Sequence, residues 1–469
     1  MRNNRLLTGT LCAVLLAAMT ACQAYIDTSA GSSSSAETVT AVVAEAAASM
    51  EAAESAEGAD ADSSDGDAAS GNSGTTESVA ETSASENNTS SQSAASDSSS
   101  AGTGTTSSGS SSKLTGADVL TASSSDLFTE RDLEQTADLT GATKVTVSDG
   151  DTVSIKTEGV YVLTGTAANA QVVVEAGDKD KVQLVLDGVS ITNDSTPCIY
   201  VKSADKVFVT TTDDSMLSVS GSFVMDGDTK TDGVIFSRSD IVLNGTAALT
   251  IVSPENGVVS KDDLKITGGT YNITAGTKAL EANDSICIAD GTLLLNAGTD
   301  GIHAENEEDD ALGYVYIGGG DITIEAGDDA IHAVSWVQID SGTITIRAGE
   351  GIEGTSIQIN DGTVHISASD DGINAANKSA SVATVLEING GNVVVIMDSG
   401  DTDGLDSNGN LYINGGTIEI TADSAVDYDG IGEFNGGTLI VNGQQQTALP
   451  NQMMGGMGWG GSRGGGMGR

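Results

Sequence analysis

Basic side chains are scarce in this sequence: 19 Lys and Arg stand against 67 Asp and Glu, a formal net charge of -48. A folded surface of that sign repels phosphate backbones and anionic membranes, which makes nucleic acid a poor partner and cations the natural complement. Aromatic residues are 3% of the chain, so any cluster of them stands out. The early apolar run, Leu11 to Ala18, is shorter than the ~20 residues that a spanning helix needs. No Lys or Arg occurs between Arg5 and Lys113, and too little apolar surface is present there to offset chain entropy.

These gaps divide the chain. Residues 1–21, with Arg2 and Arg5 ahead of the apolar run, read as a signal peptide. Met19-Thr20-Ala21-Cys22 is similar to a bacterial lipoprotein box, with Cys22 as the lipidated residue and an ordinary secretory peptide as the alternative. Residues 22–112 are expected to be an unstructured Ser/Ala/acidic stalk, and residues 450–469 an unstructured Gly/Met-rich tail. The expected placement is the outer face of the cell membrane, anchored by lipid and projecting into the cell wall. Residues 113–449 are left as one folded domain, expected to be monomeric.

From about residue 240 to residue 440 one pattern recurs: two alternating apolar pairs around a Gly-Gly or Asp-Gly turn, then Asp-Gly-Ile-x-Ala. The residue after the turn glycine marks each unit: Thr246, Thr270, Thr292, Asp321, Thr343, Thr363, Asn392, Thr417 and Thr438. By subtraction their spacings run from 20 to 29 residues. Units this short, without a helical pattern, cannot bury their own apolar faces and must stack. In residues 336–354 the apolar positions are Val337 and Ile339, Ile344 and Ile346, then Ile352, which is period two in three short runs. The expected fold is all-β: a parallel β-helix, or solenoid, of about ten or eleven coils with three short strands each. Cys198 and Cys287 then fall several coils apart and are not expected to pair.

Aligned third strands place Asp300, Asp329, Glu350, Asp371 and Asp403 in one polar column. Glu281, His303, His332, Glu353, Asn374, Asp406 and Asp427 form a second, and Asp328, Asp370, Asp401, Asp429 and the acids of an inserted loop, Glu305 to Asp310, flank them. Unit charges ~4.8 Å apart repel by about 3 to 4 kcal/mol at an effective dielectric of 20, which calls for counter-ions. Converging carboxylates suit Ca²⁺. The candidate metal ligands are therefore Asp300, Asp328, Asp329, Glu350, Asp370, Asp371, Asp401, Asp403, Asp406 and Asp427. Corner-forming turn chemistry is the alternative reading of part of this set. The candidate carbohydrate contacts are His303, His332, Glu353 and Asn374, with Tyr314, Tyr316 and Trp336 expected to point outward and offer rings to sugar C–H faces. Such rings could equally brace neighbouring coils.

The ordered segments Thr129-Glu130-Arg131-Asp132-Leu133, Gly159-Val160-Tyr161-Val162-Leu163-Thr164-Gly165 and Val182-Gln183-Leu184-Val185-Leu186-Asp187-Gly188-Val189 resemble a family of bacterial surface proteins, the carbohydrate-binding domain proteins. The likeness continues through Ser260-Lys261-Asp262-Asp263-Leu264-Lys265-Ile266-Thr267-Gly268-Gly269, Glu350-Gly351-Ile352-Glu353-Gly354-Thr355 and Asp403-Gly404-Leu405-Asp406-Ser407-Asn408-Gly409. The resemblance implies a right-handed parallel β-helix of polysaccharide-lyase type that carries calcium and binds cellulose-like and acidic, pectin-type polymers. Lys278 and Ser424 replace the acid at two rungs, and Ala330 and Ala425 the glycine, so metal sites at those turns are in doubt.

Non-catalytic binding of polysaccharide is the expected function. A lyase would need a base beside its metal, and the repeat face offers Lys265, Lys278 and Arg347. A hydrolase would need two carboxylates ~5 to 9.5 Å apart, which the columns supply freely. A surface adhesin without a sugar ligand is the third possibility.

Overall fold

The computed structural model describes residues 122–400 and 402–450. The signal segment, Cys22, the stalk, Asp401 and the tail beyond Pro450 lie outside the described residues. Within them the chain is all-β: 34 strands join in one sheet that does not close on itself, and the helical content is a single turn, Ser124–Leu127. No helix among the described residues is long and apolar enough to cross a membrane.

Apart from Gln444–Gln446, which pairs antiparallel with Thr438–Val441, the strands pair in parallel with the equivalent strand of the next unit, so three ladders run side by side. The first passes through Asp240–Gly245, Asp263–Ile266, Ser285–Ile288 and Tyr314–Ile317. The second passes through Ala248–Ser253, Thr270–Ala275, Thr292–Ala297 and Asp321–Ala326. The third passes through Asn256–Ser260, Leu280–Ala282, Ile302–Ala304 and the start of Asp329–Ile339. That last strand turns a corner, its far half pairing with Tyr314–Ile317 in the first ladder. Pairing also reaches earlier than the visible repeat, to Thr143–Thr146 and Gly159–Ala168.

Alternation explains the core. Val315, Val337 and Ile357 of the first ladder, Ile322, Ile344 and Val364 of the second, and Ile302, Ile331 and Ile352 of the third are each 0% exposed and belong to one apolar cluster. Burial of such side chains stabilises by about 1.5–3 kcal/mol apiece, and β-branched residues suit the pleat.

Tight turns separate the first two ladders. Gly342, at φ +105°, occupies backbone space that L side chains rarely enter. Beside it runs a chain of amides: Asn360 Nδ2 donates to Asp340 at 2.7 Å, Asn389 to Asn360 at 2.9 Å, Asn414 to Asn389 at 2.8 Å and Asn435 to Asn414 at 2.9 Å. At this corner the polar repeat is turn chemistry. The marker Thr246 is displaced from its expected place: Ala248, not Thr246, is in register with Thr270, because Thr246 and Ala247 extend the turn.

The segment before the sheet lies across the first ladder as a strap. Gln338 Nε2 donates to Ala122 O at 2.8 Å, Lys265 Nζ to Leu127 O at 2.6 Å, and Gln135 Nε2 to Thr267 O at 2.8 Å. Asp132, fully buried, receives Lys206 Nζ at 3.3 Å. Cys198 and Cys287 are buried free thiols.

Candidate functional site

One outward column on the third ladder is continuous in register. It runs Val173, Tyr200, Phe236, Val259, Glu281, His303, His332, Glu353, Asn374 and Asp406. Its early rungs are apolar, with Tyr200 edge-on to Phe236 at 5.7 Å. From Glu281 onward it is polar.

The polar rungs divide in two. In the first part every acid has a partner. Glu281 receives Lys261 Nζ at 2.9 Å and Asn256 Nδ2 at 2.9 Å. His303 Nδ1 lies 2.8 Å from Asp300 Oδ2, and His332 Nδ1 lies 3.0 Å from Asp329 Oδ2 and 2.9 Å from Glu353 Oε2. Lys378 Nζ meets the other Glu353 oxygen at 2.8 Å. Burial would raise Glu281, Asp300 and Glu353, but these partners outweigh it and hold all three carboxyls below their usual range.

The second part has no such compensation. Among the described residues Asp371, Asp406 and Asp427 enter no ion pair. Burial and the neighbouring acids Asp371, Asp403 and Asp427 push Asp406 up to about 7. Burial, with Glu353 and Asp329 nearby, pushes Glu350 up to about 8. Glu350 Oε1 and Asn374 Oδ1, on successive rungs, are buried acceptors without a hydrogen-bond donor. Oxygen atoms that are crowded, negative and unsatisfied are the donor set of a hard cation.

Several expectations change. Asp300 and Asp329 spend their Oδ2 atoms on histidines, so they sit in the compensated part rather than among the crowded oxygens. His303, His332 and Glu353, expected at the surface, are 8%, 9% and 6% exposed. Stacked rungs cover one another, and two insertions arch above them. Residues 305–313 and 376–384 meet where Ala380 N donates to Asp310 Oδ2 at 2.7 Å and Ser381 Oγ donates to Asp310 Oδ1. Asp328 and Asp370 are exposed flanks, and Asn374 is half-buried.

Tyr316 is corrected as well. It points out of the first ladder but is only 2% exposed, because the strap packs Phe128 against it, and its hydroxyl donates to Asp340 at 2.8 Å. Tyr314 and Trp336 do form the expected one-rung pair, stacked at 4.2 Å with planes 10° apart and both half-buried.

The sequence marks Glu305 only as one acid of an inserted loop, and it gives no sign of Lys261 and Lys378 at the column. The first begins an insertion, and the lysines reach the column from loops whose lengths carry no periodic signal. With Lys278, Glu281 and His303, Lys261 and Glu305 line a cleft of about 670 Å³ walled by residues 305–309. Of the basic candidates for proton abstraction, Lys265 is tied under the strap, Arg347 lies on the second ladder opposite Glu325, and Lys278 stands 3.9 Å from Glu281.

An all-β chain of stacked parallel ladders bearing a polar column is thus the class defined by structure. The chain belongs to the carbohydrate-binding domain-containing protein family, whose profile matches residues 149–401 and 353–447. A carbohydrate-binding domain-containing protein of Acetivibrio thermocellus is 39% identical over 128 residues, 26% of this chain and 45% of that protein, so the chain spans less than half of that relative. A solved structure of a polysaccharide lyase-like protein from C. thermocellum, a gadolinium derivative, shares 34% identity. The match covers 48% of this chain and 96% of that one, with a TM-score of 0.43.

Proposed function

We propose that the described residues form a right-handed parallel β-helix, three strands to a coil, that binds polysaccharide without cleaving it and uses calcium to do so. The observation that carries this reading is the division of the column. Glu281, Asp300, Asp329 and Glu353 are neutralised by Lys and His, whereas Glu350, Asp371, Asp406 and Asp427 crowd together with no ion pair among the described residues, and Glu350 Oε1 and Asn374 Oδ1 are buried without a donor. Together with Asp403, these residues would hold Ca²⁺, supplying oxygen ligands from successive rungs. When bound, the ion neutralises the face and offers coordination to uronate carboxylates that the acids alone would repel.

The half-buried Tyr314–Trp336 stack supplies a flat apolar shelf for sugar rings, close to the polar column around the corner of Asp329–Ile339. A binder is favoured over a lyase because Lys265 is tied under the strap, Arg347 lies on the second ladder and Lys278 stands beside Glu281 in the compensated part. The domain would act as a monomer at the cell surface, held there by lipid on Cys22.

Retention of the full chain on polygalacturonate and on cellulose, with calcium and with excess chelator, tests the proposal. Calcium-dependent retention on the acidic polymer with no unsaturated product and no new reducing ends is the expected result. Retention that chelator leaves unchanged would overturn the calcium role, and product formation would overturn the non-catalytic one.

A further inference from the structure

The compensated part of the column holds a chemically different set of donors. His303 and His332 are in register on adjacent strands, with rings stacked 4.6 Å apart and 11° from parallel. Each places Nδ1 against the carboxylate three residues earlier, Asp300 at 2.8 Å and Asp329 at 3.0 Å. At His332 the Asp329 carboxylate hydrogen-bonds Nδ1 and leaves Nε2 for a metal, the arrangement that orients metal-binding imidazoles, while His303 Nδ1 meets Asp300 as a close ionic contact only. Glu305 Oε2 sits 3.2 Å from His303 Nε2, and ligand atoms of His303, Glu305 and His332 all lie within 4.8 Å of one another.

We propose that His303, His332 and Glu305 bind a divalent transition-metal ion of the zinc class, at a site separate from the crowded acids. Zinc bonds to nitrogen and carboxylate oxygen of about 2.0–2.2 Å need ligand atoms roughly 3.3 Å apart, so a closure of at most about 1.5 Å completes the set. Glu305 is exposed at the start of an insertion and its side chain is free to supply that movement, with a slight splay of the two rings. Two imidazoles and one carboxylate favour a borderline-soft ion over calcium, whose preference is for oxygen alone. Because His303 and Glu305 also line the 670 Å³ cleft, a fourth coordination position opens toward it, where a sugar hydroxyl or carboxylate would be the ligand. The site stands whether or not the acids beyond Glu350 take calcium.

The test is a titration of the full chain with Zn²⁺ in millimolar calcium, which saturates oxygen sites, and a parallel titration with Co²⁺ read by visible absorption. Wild type is expected to take up one zinc tightly and to give the intense visible bands of low-coordinate cobalt. His303→Ala should weaken zinc at least tenfold and abolish those bands. Glu305→Gln, on an exposed loop, should weaken zinc at least tenfold with an unchanged melting temperature, and it decides the matter if His303→Ala fails to fold. Zinc affinity unchanged in Glu305→Gln, or a cobalt spectrum of the weak octahedral all-oxygen type in wild type, would overturn the proposal.

Discussion

His332 Nδ1 lies 2.9 Å from Glu353 Oε2 on the next rung, so one imidazole joins two strands through an ionic contact that is almost wholly buried. Burial disfavours the imidazolium, yet Asp329 and Glu353 outweigh it and push His332 up to about 9. A folded-state value above the unfolded 6.5 gives stability that is complete below pH 6.5 and is lost as pH rises through about 9. In metal-free buffer, His332→Gln is therefore expected to cost about 3–5 kcal/mol at pH 6, the scale of breaking a buried pair. The gap to wild type should narrow toward pH 9.5 in denaturant titrations. A gap independent of pH would assign His332 a packing role instead.

The crowded acids give a dependence of the same sign in a lower pH window. Asp406 at about 7 and Glu350 at about 8 stand above their unfolded values of 3.8 and 4.5, so the fold favours their neutral forms. Without divalent ions, stability should fall as pH rises from about 4 to about 8. Calcium at a hundred times its Kd should restore about 2.7 kcal/mol, with a larger effect at pH 8 than at pH 5. Asp406→Asn should flatten the chelator profile and shrink the calcium effect, both readable by thermal melts.

Rings that look equivalent in sequence should separate in assay. Trp336→Ala removes half of the stacked pair and is expected to weaken glycan retention roughly tenfold, about 1.4 kcal/mol. Tyr316→Phe deletes only the hydroxyl bonded to Asp340 under the strap. It should cost about 1 kcal/mol of stability and leave retention unchanged in affinity electrophoresis.

Backbone proximity in the third ladder is tested at Gly351. A Cβ there would stand 2.2 Å from Gly372 O and 2.7 Å from Ile366 Cγ2. Gly351→Ala should destabilise by about 1–3 kcal/mol in denaturant titrations, although Ala330 occupies the equivalent place one rung earlier. The reverse change, Ala330→Gly, should be nearly neutral in packing.

Much of this arrangement is legible in the chain. Period-two isoleucines and turn glycines identify strands and corners because a pleat and a positive φ each accept few residue types, and Leu280, Ile302, Ile331 and Ile352 fall in register as their alignment suggests. The polar column is legible for the same reason. What neutralises it is not, since Lys261 and Lys378 reach the column from loops, where position depends on the path of the chain rather than on period. The burial of Tyr316 was hidden because its cover, Phe128, lies 188 positions earlier by subtraction and bears no trace of the repeat.

The strap has a consequence for cooperativity. Parallel ladders link each unit to its neighbours, and an array of that kind frays from its ends one unit at a time. Gln135 to Thr267, Lys265 to Leu127 and Gln338 to Ala122 instead join positions 132, 138 and 216 residues apart. Loss of any unit between them strains those ties. The crossing segment thereby couples the opening of distant rungs into a larger unfolding event, and hydrogen exchange along the central ladders should proceed as one slow unit rather than as a gradient from either end.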